Sequence, residues 1–120
     1  MDDDEAIRKI YAILLERLGY GVDAVACGEE AIERFQEAGR EGVPYRAVIL
    51  DLNVEAGMGG LETLKQLRAL DPHVYCIVAS GSSREATAAE AHSHGFNDVL
   101  PKPFRLQEVM DCVSRLGPPQ

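Results

Sequence analysis

A chain of 120 residues, 46% of them hydrophobic, has enough apolar surface for one packed core and too little length for two. Its net charge of −8 excludes a general nucleic-acid or anionic-membrane surface, since both need excess Lys and Arg; it suits a site that gathers a cation. No stretch approaches membrane-spanning length and no basic start leads into an apolar run, so neither an anchor nor a signal peptide is expected.

In chain order, "DDEAIRKIYAILLERLGYG" carries Ile7, Ile10, Tyr11, Leu14, Leu15 and Leu18 at helical spacing, with acids at its start and Gly19 as a stop. "YGVDAVAC" reads as a short strand, and "GEEAIERFQEAGREG" as a second helix. "YRAVILDL" is a strand that turns apolar on both faces, the mark of a parallel sheet covered on both sides. "GGLETLKQLRALD" is a helix with Leu61, Leu64 and Leu67 on one side, and "HVYCIVAS" is another buried strand. "SREATAAEAHSHG" is a weakly amphipathic, Ala-rich helix, "FNDVLP" a short strand, and "FRLQEVMDCVSRL" a last helix before the tail "GPPQ". His73, His92 and His94 have no metal-ligand spacing and read as surface residues. Cys27, Cys76 and Cys112 sit singly in apolar contexts, which predicts free thiols and a reducing, cytoplasmic setting.

A helix followed by four strand–helix units predicts an α/β fold with a parallel sheet. Open sheets of this kind keep their chemistry at the carboxyl ends of the strands. Asp51 ends one strand there, Ser80 ends the next, and Lys102 follows the one after; Asp2 and Asp3 stand just before the first helix. Each alone is more simply a cap, a turn or a solvated side chain. Together they make three carboxylates, a hydroxyl and an ammonium. Close carboxylates repel and need a cation, and hard oxygen ligands without His or Cys suit Mg²⁺. A carboxylate beside Mg²⁺ can attack a phosphoryl group, whose oxygens the metal, the lysine and the hydroxyl neutralise.

Five segments in order, "MDDDEAIR", "VILDLN", "GMGGLETLKQLRALDP", "IVASG" and "GFNDVLPKPF", make the chain resemble the receiver domains of two-component response regulators, in phrasing those attached to hybrid sensor histidine kinases. The resemblance covers nearly the whole chain. It implies a flavodoxin-like, doubly wound parallel sheet, a single receiver domain over residues 1–117 and a tail over 118–120. It implies that Asp51 accepts a phosphoryl group from a histidine kinase, that Asp3 ligates Mg²⁺ directly and Asp2 through water, and that Asn53 offers its backbone carbonyl to the metal. Ser80 and Lys102 would bind phosphoryl oxygens, with a cis bond before Pro103. Phosphorylation would bias a surface read by a downstream protein partner, with no nucleic acid, no membrane and no enzymatic output domain.

Three departures from the family shape further expectations. Only Met1 stands where the family's first, central strand belongs, so either the sequence is truncated at its start relative to the family, or the sheet rearranges, or another chain fills the gap; a homo-oligomer (a dimer or domain swap) is expected, and Asp2 and Asp3 are expected to lose their anchor. Val99 replaces the switch aromatic, and Gly59 stands where an acid is common. If the altered sheet abolishes phosphorylation, the chain would instead be a receiver-derived oligomerisation or protein-binding scaffold. A haloacid-dehalogenase-type phosphatase would need a second acid where Asn53 stands, and flavin binding would need a phosphate loop after an opening strand.

Overall fold

The computed structural model describes residues 1–52, 57–80, 91, 93–102 and 105–116, without the side chains of Ser80 and Pro101. The expectations placed on Asn53, Pro103, most of the Ala-rich helix and the tail lie outside the described residues. Helix α1 spans Glu5–Arg17 and begins where the Asp4 carboxylate accepts from the Ala6 and Ile7 amides. Leu18 closes it, and Gly19 turns the chain with φ 94°, a region open to glycine without a steric cost. Helix α2 spans Gly28–Arg40, strand β1 Val48–Asp51, helix α3 Gly60–Leu70 and strand β2 Cys76–Ser80. Strand β3 spans Asp98–Pro101 and helix α4 Leu106–Ser114.

The three strands form a parallel sheet in the order β1-β2-β3, with Leu50 beside Val78 and Val78 beside Val99. Strand alternation sends side chains to two buried faces. Leu50, Cys76 and Val78 meet Leu64, Leu67 and Phe96 on one face; Ile77, Ala79 and Leu100 meet Tyr11, Val109 and Cys112 on the other. Val99, at the position of the switch aromatic, packs half-buried against the first of these clusters. Asn97 pins the entry to β3: its amide donates to the Cys76 carbonyl, and its side-chain oxygen accepts from the Cys76 amide and from Arg68.

One predicted strand does not form. Residues 20–25 pass beside the sheet without joining a ladder, although "YGVDAVAC" has the composition of a short strand. A strand exists only through a neighbour that bonds to it, and among the described residues the position between residues 20–25 and β1 is held by Met1 and Asp2. The Met1 amine donates to the Ile49 carbonyl (2.6 Å), the Asp51 amide donates to the Met1 carbonyl (3.0 Å), and the Asp2 amide donates to the Val25 carbonyl (3.1 Å). This two-residue bridge corrects the expectation that the acids at the chain start are left without an anchor.

The contact between α3 and β1 is close. A Cβ on Gly60 would sit 2.5 Å from the Asp51 carbonyl oxygen, a backbone atom with little freedom to move. Gly60→Ala is therefore expected to destabilise the fold by about 1–3 kcal/mol, the usual cost of overpacking, as a lowered urea midpoint at unchanged slope. Gly59→Ala, whose Cβ would meet its nearest atom at 3.4 Å, is expected to cost much less.

Candidate functional site

Asp51 is the last residue of β1, and its backbone is held from both directions: by the Met1 carbonyl on its amide and by the start of α3 against its own carbonyl. Its side chain is 7% exposed. Asp2 is brought alongside by the Met1 bridge and is 1% exposed. The Asp2 backbone carbonyl accepts from Arg8 (2.8 Å), and one of its carboxylate oxygens accepts from the Asp4 amide (3.0 Å), so α1 fixes its orientation. Asp3 stands at the rim, exposed. Carboxylate oxygens of Asp2, Asp3 and Asp51 lie within 4.8 Å of one another.

Lys102 follows β3 and reaches back across the strand ends. Its ammonium lies 2.6 Å from Asp2 and 3.3 Å from Asp51. Burial alone would lower the lysine's pKa; the hydrogen bond to Asp2 and the charges of Asp51 and Asp2 outweigh it and hold it above the ordinary value. Burial pushes the Met1 amine down to about 6, so it adds little positive charge at neutral pH. Three carboxylates and one ammonium have a formal charge of −2, which matches a divalent cation. Oxygen donors partly open to water fit Mg²⁺, which keeps several waters when bound. Among the described residues, Asp2, Asp3 and Asp51 could hold it.

Ser80 ends β2 opposite Pro101, at the same sheet edge; its side chain, like Asn53, lies outside the described residues. Sequence reasoning missed the supports of this edge. Thr63, fully buried, donates through its hydroxyl to the Gly59 carbonyl (2.7 Å), and the Met58 carbonyl accepts from the Gly28 amide (2.9 Å). These bonds tie the chain after β1 to α2 and α3. A threonine four residues after a glycine carries no distinctive signal. The backbone role of Met1 carries none either, because one residue has no period.

Comparison with known proteins bears on what this edge does. The response regulator receiver domain model matches residues 1–114. The chain is 26% identical to the chemotaxis protein CheY of Thermotoga maritima over 98% of its own length and 93% of that protein's. It is 31% identical to the transcriptional regulatory protein ResD of Bacillus subtilis and to the sensor kinase CckA of Brucella abortus, over 97% of its length in each case, but spans only 45% and 12% of those proteins. Among solved structures, chemotaxis protein CheY4 of Vibrio cholerae superposes with a TM-score of 0.83 at 25% identity, covering 96% of this chain and 92% of that one. A response regulator from Chloroflexus aurantiacus superposes with 0.79 at 27% identity, covering 97% and 92%.

Tyr11 packs beneath the site, and burial, with the charges of Asp2 and Asp51, raises its phenol above the ordinary value of 10. The unfolded chain then releases this proton first. Stability is expected to fall as pH rises above 10, because the folded state binds more protons there, and Lys102 adds a loss of the same sign. Urea midpoints measured from pH 9 to 11.5 check this, and Tyr11→Phe is expected to flatten the decline.

Proposed function

This chain belongs to the response regulator receiver family, and on that premise we propose that it accepts a phosphoryl group on Asp51 from a histidine kinase. The observation that carries the reading is the convergence of Asp2, Asp3, Asp51 and Lys102 at one sheet edge, with Asp51 on the C-terminal end of a buried strand. A carboxylate oxygen of Asp51 attacks the phosphorus of a phosphohistidine or a small acyl phosphate. The new O–P bond forms as the bond to the donor breaks, and the donor leaves with the electron pair. The product is an aspartyl phosphate.

Asp2, Asp3 and Asp51, with the backbone carbonyl of Asn53, would hold Mg²⁺, which when bound would supply positive charge against the phosphoryl oxygens. Lys102 neutralises a further phosphoryl oxygen and must loosen its bond to Asp2 to do so. Ser80, whose backbone ends the neighbouring strand, would supply a hydroxyl to a phosphoryl oxygen. The change in charge at this edge is the signal: an ammonium shared between two aspartates is redirected to a new dianion. A downstream protein partner reads the resulting surface.

Intact mass after incubation with acetyl phosphate and Mg²⁺ tests the proposal. One added phosphoryl group is expected on the native chain and none on Asp51→Asn. Lys102→Ala is expected to be modified about 10²–10³-fold more slowly, the usual loss when one preorganised cationic partner is removed. No addition to a chain shown folded by circular dichroism would contradict it and favour a phosphorylation-incompetent binding scaffold.

A further inference from the structure

Lys102 is an exchangeable partner of Asp2, and Arg8 is a fixed one. Of the cations on α1, Lys9 pairs with Glu5 at the surface and Arg17 lies in the last turn. Arg8 instead turns back, half-buried, toward the start of its own helix. Its guanidinium donates through Nη1 to the Asp2 carbonyl (2.8 Å), while its amide donates to the Asp4 carbonyl (3.0 Å). An arginine does not lose its proton in a protein, so this donor is permanent.

The atom that Arg8 holds decides what it can do. The Asp2 backbone is tied at both ends: its amide donates to the Val25 carbonyl (3.1 Å), and its carbonyl accepts from Arg8. An aspartate side chain is short, so the place of its carboxylate follows from its backbone. Both carboxylate oxygens stay available to other groups. One accepts from the Asp4 amide (3.0 Å) and the other from Lys102 (2.6 Å). A guanidinium forked onto the carboxylate would compete with Lys102 and with a metal ion; one placed on the carbonyl does not. Without Arg8 the carbonyl of this enclosed residue has to turn to find another donor, and the carboxylate turns with it.

We propose that Arg8 is a positioning residue of the acidic site: its bond to the Asp2 carbonyl sets where the Asp2 carboxylate stands, and so how tightly Asp2, Asp3 and Asp51 take up a divalent cation. This role rests on the reading of the edge as a phospho-acceptor site that takes Mg²⁺. It has a sign of its own. Arg8 carries a positive charge, and charge alone opposes a cation, so by that effect its loss would tighten Mg²⁺ binding. Positioning acts in the opposite direction, because a displaced Asp2 no longer meets the other two carboxylates.

Calorimetric titration of the native chain, Arg8→Met and Arg8→Lys with Mg²⁺ tests the proposal. Arg8→Met keeps the apolar stem and loses the donor. It is expected to bind Mg²⁺ about tenfold more weakly, the lower end of the usual loss when a residue that holds a metal ligand in place is removed. Arg8→Lys, which keeps a charge and a donor, is expected to recover most of that affinity. Without metal, the Asp4 amide, which donates to the Asp2 carboxylate, is expected to exchange faster in Arg8→Met while the Val78 and Leu100 amides keep their native rates. Unchanged or tighter Mg²⁺ binding by Arg8→Met, beside a native chain that binds Mg²⁺, would overturn the role of Arg8 alone. So would weaker binding accompanied by lost protection at Val78 and Leu100, the mark of a destabilised fold. No Mg²⁺ binding by the native chain would overturn the reading of the site and the role of Arg8 with it.

Discussion

The site depends on the backbone of a single residue. Met1 bonds to β1 through both its amine and its carbonyl, and the next amide bonds to Val25. Each such bond contributes about 0.5–1.5 kcal/mol net, so the bridge is modest in energy. Its geometric effect is larger. It places the Asp2 carboxylate in the interior beside Asp51, where Lys102 meets both. Without the bridge, Asp2 would be a solvated residue ahead of a helix.

Electrostatics then lock the arrangement. A carboxylate as enclosed as that of Asp2 is tolerated only with a partner, and Lys102 is that partner. The lysine remains partly exposed, which lets it exchange partners. The formal excess of two negative charges makes this edge attractive to a divalent cation. The acidic surface that argues against nucleic acid thus has a local counterpart with a specific chemistry.

Much of this was legible in the residues. The helical periods place α1, α2, α3 and α4 within a few positions of where they lie, and the apolar run ending in Asp51 is the strand that it resembles. The two-sided core follows from that run, because a strand apolar on both faces must be covered twice. The strand expected over residues 20–27 was not correctly legible. Its residues suit a strand, but strand formation is a property of a pair, and a local pattern does not show what lies beside it. The same limitation hid the strength of the chain start. Resemblance to the family implied that acids without a preceding strand would drift; three backbone bonds made by two residues keep Asp2 in place. Thr63 and Gly60 escaped notice because close approach between elements leaves no periodic trace.

The claim that Met1 holds the site together is tested most directly by hydrogen exchange at the Asp51 amide, which donates to the Met1 carbonyl. The account predicts that this amide exchanges slowly in the native protein, in the range of the Val78 and Leu100 amides inside the sheet. Exchange at the unprotected rate, while those interior amides stay protected, would mean that the chain start is detached from β1. The acidic site would then not be assembled in the way described.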